Sequence, residues 1–141
     1  MAQPTVEQLR AAFRRAPFIA DLGIELESLG AGECTTSLAL QQRHLQQDGF
    51  VHAGVQATMA DHTAGAAAST LAPEGRIVLT AEFSVKLLRA ARGERLLCRA
   101  RVLKPGSQLV FVESEVFAVT AGREVLVAKV SATMVVIEPH V

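Results

Sequence analysis

The stretch His52-Ala53-Gly54-Val55-Gln56-Ala57-Thr58-Met59-Ala60-Asp61-His62-Thr63-Ala64-Gly65-Ala66-Ala67-Ala68-Ser69-Thr70-Leu71 decides the fold. It has no proline and is dense in alanine, the strongest helix former, so it predicts one long helix over 52–71. Set at about 100° per residue, its side chains divide between two faces. Val55, Met59, Thr63 and Ala66 share one, which is expected to pack on a sheet. Gly54, Ala57, Asp61, Gly65 and Ala68 share the other, so one carboxylate stands in a strip of very small side chains. A glycine within a helix costs about 1 kcal/mol relative to alanine, so some group is expected to approach this strip closely. A solvated face would account for a lone carboxylate, but such a face normally carries several charges. Asp61 is the only formal charge between His52 and Leu71, which suggests an interface.

On the N-terminal side, Thr5 and Gln8 match a capping box, and Leu9, Ala12 and Phe13 follow at helical spacing. A short N-terminal helix is therefore expected within residues 1–20, running to about Arg15. Ile24–Leu29 and Glu33–Leu40 alternate around Gly30-Ala31-Gly32 and predict a hairpin. A polar loop containing His44 leads to the long helix. After Pro73-Glu74-Gly75 come four Val/Leu-rich runs, 76–88, 94–103, 108–120 and 124–137, separated by Ala91-Arg92-Gly93, Lys104-Pro105-Gly106 and Ala121-Gly122. These predict a meander of four antiparallel strands. The fold class is α+β: about six antiparallel strands wrapped around one central helix, in a single domain over 1–141.

Lys plus Arg and Asp plus Glu number 14 each, so the chain lacks the basic footprint of a nucleic-acid or anionic-membrane binder. Cys34 and Cys98 form no CxxC pair and no metal-ligand cluster, which reads as two inert thiols and no metal site. No run approaches the roughly 20 apolar residues of a membrane span, and a cytoplasmic location is expected.

His52-Ala53-Gly54 opens the helix, where free N–H groups and the positive end of the dipole suit an oxyanion or a polarised carbonyl. Ala53 and Asp61 are eight residues apart, about 12 Å along the axis, whereas both would have to lie within roughly 3–3.5 Å of one reacting group. One subunit cannot supply both. Two helices packed antiparallel about a twofold axis would set Asp61 of one beside the Ala53 amide of the other, which predicts a homodimer with two shared sites.

The segment Gln46-Gln47-Asp48-Gly49-Phe50-Val51-His52-Ala53-Gly54-Val55, continuing through Ala60-Asp61 to Ala64-Gly65-Ala66-Ala67, resembles the signature of the hotdog-fold acyl-CoA thioesterases of the PaaI-like, phenylacetate-catabolism type. Leu79–Val85 and Leu87–Gly93 look like that family's strand and turn after the helix, with Ala90 where proline is common. The resemblance implies that His52 is the motif histidine and that Ala53 replaces the glycine whose N–H polarises the thioester carbonyl. Asp61 then stands at the catalytic carboxylate, as nucleophile or general base. Gln46 stands at the family's asparagine, with a longer arm. Gly65 stands where some relatives carry a hydroxyl that holds water, which leaves Thr80 as the candidate for that task.

The implied substrate is an acyl-CoA with an aryl or medium-chain acyl group. No cofactor is implied, and the assembly would be a dimer or a tetramer. Gly54, Gly65, Thr80 and Arg89 are the expected substrate contacts. Arg89, Arg92 and Lys104, at strand ends or turns, are candidates for the CoA phosphates. His62 projects about 100° away from Asp61 and is not expected to be its partner. Two alternatives remain: a hotdog hydratase or dehydratase pairing His52 with Asp61 across the dimer, and a non-catalytic acyl-CoA binding module.

Overall fold

In the computed structural model, which describes residues 3–139, the Thr5 hydroxyl accepts the Gln8 N–H at 3.2 Å and the Gln8 side-chain oxygen accepts the Thr5 N–H at 2.8 Å. This capping box starts helix α1 (Val6–Arg14). The helix expected within 1–20 is two helices. Pro17 holds the preceding Ala16 in extended backbone, which ends α1, and the proline becomes the first residue of α2 (Pro17–Leu22).

Strands β1 (Glu25–Gly30) and β2 (Glu33–Ala39) form the expected hairpin. Ala31 and Gly32 both have positive φ, 52° and 79°, the two-residue turn whose twist suits paired strands. In the following loop His44 is buried: its Nδ1 accepts the Gln41 N–H at 3.0 Å and its Nε2 bonds the Leu22 carbonyl at 2.8 Å. The loop is thereby tied to α2.

Helix α3 (Ala53–Ser69) touches all six strands. Its buried face is Val55, Gln56, Met59, Ala60, Thr63, Ala64, Ala67 and Ala68, so the expected division of faces needs correction at two positions. Ala68 belongs to the core, and Ala66 lies half-buried at the margin. Alanine on this face lets the sheet close on the helix axis, and two buried hydrogen bonds fix its position. The Ser114 hydroxyl donates to the Ala60 carbonyl at 2.8 Å, and the Thr36 and Thr63 hydroxyls bond each other at 2.7 Å.

The remaining strands are β3 (Ile77–Leu87), β4 (Arg95–Lys104), β5 (Leu109–Thr120) and β6 (Arg123–Ile137). Among the described residues they join β1 and β2 in one antiparallel sheet of order β1-β2-β4-β5-β6-β3. The expected four-strand meander holds only for β4, β5 and β6, because β3 pairs with β6 at the far edge. The linker between β3 and β4 is too long for a tight turn and is pinned elsewhere. Leu88 and Arg89 donate to the Val127 carbonyl, and the Ala91 carbonyl accepts the Val51 N–H. No helix among the described residues is long and apolar enough to cross a membrane.

Candidate active site

Asp61 lies mid-way along α3, half-buried and turned towards β3. The Thr80 hydroxyl donates to Asp61 Oδ1 at 2.7 Å, which orients the carboxylate and leaves its second oxygen without a donor among the described residues. Thr80 reaches the helix because the β3–β6 register shifts beside it: Thr80 pairs with Met134, whereas Glu82 pairs with Thr133. A bulge of this kind re-aims side chains, and nothing in the sequence announces it. Thr80 therefore contacts the carboxylate, where the sequence suggested a substrate or water contact. Thr80→Val, which keeps the shape and removes the donor, is expected to lower kcat for the reaction proposed below roughly 10- to 100-fold with little change in KM. Thr80→Ser is expected to restore most of it, and steady-state kinetics on the pair checks both.

Asp61 and Thr80 border a cavity of about 250 Å³ between α1, α3 and β3. Gly65 also faces it, and a Cβ built there would meet nothing within 4 Å, so no group among the described residues requires that glycine. His62 packs edge-on against Phe13, with ring centroids 4.6 Å apart at 64°. Burial pushes the His62 pKa down, opposed by the Asp61 charge. No hydrogen bond joins the two side chains, in keeping with their helical offset.

At the start of α3 the His52 Nδ1 accepts the Gly54 N–H at 2.8 Å, so the ring caps its own helix. This accounts for Gly54, since a Cβ there would come within 3.0 Å of the same nitrogen. With the cap on Gly54, the Ala53 N–H has no acceptor among the described residues and opens on a groove of about 510 Å³. Gln46 lines this groove, but its side-chain oxygen already accepts the Asp48 N–H at 2.5 Å and the Phe50 N–H at 3.3 Å. Only its amide NH₂ remains for a ligand.

Gln56, not foreseen from the sequence, also lines the groove. It is 3% exposed, and its Nε2 donates to the Val51 carbonyl at 3.3 Å while its Oε1 is buried without a partner. Its one sequence signal is an amide among alanines, four residues after His52.

Arg89 borders both this groove and a neighbouring one of about 430 Å³ that Arg92 and Arg123 also line. Arg123 was not anticipated, and Lys104 does not join the group. It ends β4, whose other end, Arg95, lies next to this turn, roughly 30 Å away along the strand. Cys34 and Cys98 are buried, and burial pushes each thiol up to about 12, so neither offers a thiolate.

A family model described as the thioesterase superfamily matches residues 48–125, from the loop before α3 into β6. A thioesterase family protein from Silicibacter pomeroyi is similar in structure, with a TM-score of 0.92 and 35% identity, over 94% of this chain and 98% of that one. A conserved protein from Pseudomonas aeruginosa aligns with a TM-score of 0.81 at 28% identity, over 95% and 100% of the two chains. A provisionally named esterase from Halobacterium salinarum is 31% identical over 100 residues, or 67% of this chain. The match spans 66% of the length of each curated relative. The sheet wrapped on one helix, the helix-start motif and these likenesses agree: this chain belongs to the thioesterase superfamily and has its hotdog fold.

Proposed function

We propose that the chain is an acyl-CoA thioesterase of the PaaI-like type, cleaving an aryl or medium-chain acyl-CoA to the free acid and CoA. The observation that carries this reading is the pairing of a half-buried, Thr80-oriented Asp61 at the edge of a cavity with an unengaged Ala53 N–H at the helix start. Either Asp61 takes a proton from a water that adds to the carbonyl carbon, or Asp61 adds itself; the Ala53 N–H stabilises the oxyanion, and collapse breaks the C–S bond and expels the CoA thiolate. In the first route the thiolate takes the proton held by Asp61 and the free acid leaves; in the second the thiolate is protonated from solvent, and water hydrolyses the acyl-aspartyl anhydride to the free acid and the Asp61 carboxylate. The hydratase alternative needs His52 as a base, and with its Nδ1 accepting the Gly54 N–H the neutral ring holds its proton on Nε2 and has no free nitrogen to accept another.

The reaction requires a second copy of the chain, because Ala53 and Asp61 lie about 12 Å apart along one helix. Two features favour such a homodimer. β3 is an edge strand whose Phe83 and Leu87, paired with the inward-facing Ala132 and Ala128, are 40% and 51% exposed. On the outer side of α3, the Cβ position of Gly65 likewise meets no atom of the described residues within 4 Å. In this reading the CoA arm leaves the Ala53 groove past Arg89 towards Arg92 and Arg123, which bind its phosphates. Neither a cofactor nor a resident metal takes part, and the protein works in the cytoplasm.

Incubating the purified protein with aromatic and aliphatic acyl-CoAs, with free thiol followed by a disulfide dye, is expected to show thiol release. A change in enoyl absorbance without thiol would mean hydration, and neither signal would mean a binding module.

A further inference from the structure

The cavity beside Asp61 has walls of three kinds. α3 contributes Gly65 and Ala66, which have almost no bulk; the sheet contributes Val78 and Met134, the latter fully buried and fixed in the core. The third wall is α1, through Leu9, Ala12 and Phe13. Phe13 is the one buried residue of α1, and among the described residues the helix's one ion pair, Arg10 to Glu7 at 4.0 Å, stays within it. Phe13 is held where its ring meets the His62 imidazole edge-on. The third wall of the cavity is thus a short helix seated on β1, α2 and α3, with Phe13 both in the core and at the cavity surface.

We infer that α1 is the end wall of the acyl cavity and that Phe13, held against His62, sets the length of acyl group accepted. This rests on the thioesterase reading, in which the thioester carbonyl sits at Asp61 and the acyl group runs into the space behind it. An apolar cavity of about 150 Å³ is enough to hold benzene. The roughly 250 Å³ here, partly open and lined by Asp61, His62, Ser69 and Thr80 as well as by apolar side chains, has room for a phenyl ring on a short linker or a straight chain of similar bulk, with Phe13 at its limit.

The test uses the full chain and non-hydrolysable S-alkyl-CoA thioethers, from phenylethyl and hexyl to tetradecyl, with affinity measured by calorimetry so that turnover is not needed. The parent is expected to bind the phenylethyl and hexyl ligands best. Ala12→Leu adds bulk at an exposed position on a helix that favours leucine, so folding is preserved; it is expected to weaken the parent's best ligand about 10-fold or more and shift the optimum shorter. Phe13→Ala is expected to shift the optimum longer, with a gain of about 10-fold or more for tetradecyl over hexyl. An unchanged chain-length profile in Ala12→Leu overturns the inference, whatever Phe13→Ala does to stability. Failure of every thioether to bind overturns the acyl cavity as well. Thiol release from the matching thioesters is read separately: shifted binding without hydrolysis would refute the thioesterase reading and leave the wall standing.

Discussion

Asp61→Asn is expected to lower kcat for thioester hydrolysis by about 10²- to 10⁴-fold, the span associated with loss of a positioned base or nucleophile. Asparagine keeps the size of the side chain and retains an oxygen to accept the Thr80 hydroxyl, the bond that sets the rotamer at 2.7 Å. The helix and cavity should therefore survive, and unchanged thermal unfolding would confirm that the loss is chemical. KM should move little, because Asp61 is required where charge and protons move and not where CoA is held. An Asp61→Asn protein that released thiol at the parent rate would remove Asp61 from the chemistry. It would also leave the Thr80 contact as a structural hydrogen bond between α3 and β3.

The parts of this picture that were legible in the sequence are those written in local chemistry. The capping box of Thr5 and Gln8, the alanine-dense helix, and a hairpin around Gly30-Ala31-Gly32 all depend on neighbours within a few residues. The order of the sheet was not legible, because β3 reaches β6 through contacts far apart in sequence, and a Val/Leu-rich run carries no mark of which partner it will choose. The break at Pro17 could have been read locally, since proline both starts a helix and disfavours helix before it.

The site divides along the same line. Asp61 stands out by periodicity within α3, and His52 and Ala53 by their place at its start. Thr80 could be named but not given its contact, because a bulge in β3 determines where its hydroxyl points. Gly54, which suggested a ligand's approach, also has a neighbour of its own chain to meet: a Cβ there would stand 3.0 Å from the His52 Nδ1. Gln56 and Arg123 were missed because their surroundings are assembled by the groove walls and not by adjacent residues.

Ala53→Pro is expected to reduce kcat by about 10²- to 10³-fold, the cost of removing one oxyanion donor. Proline deletes the N–H and little else here. Position 53 is the first residue of α3, where proline is favoured, and His52 already has the extended backbone, φ −60° and ψ 137°, that must precede it. The helix, the His52 cap on Gly54 and the Asp61–Thr80 pair all lie outside the change. The variant then permits a second experiment, because the Asp61→Asn and Ala53→Pro defects fall in different halves of a shared site. A dimer with one of each subunit has one site carrying both defects and one site with neither. Co-expressed in equal amounts, two nearly inactive proteins should return about a quarter of the parent activity, since half the dimers are mixed and each holds one intact site. Recovery near that level would mean that the thioester is polarised by one subunit and attacked from the other. A mixture as inactive as its components, despite mixed dimers detected by mass, would place both groups of each site in one chain, and the roughly 12 Å along α3 would then have to be closed by some other donor.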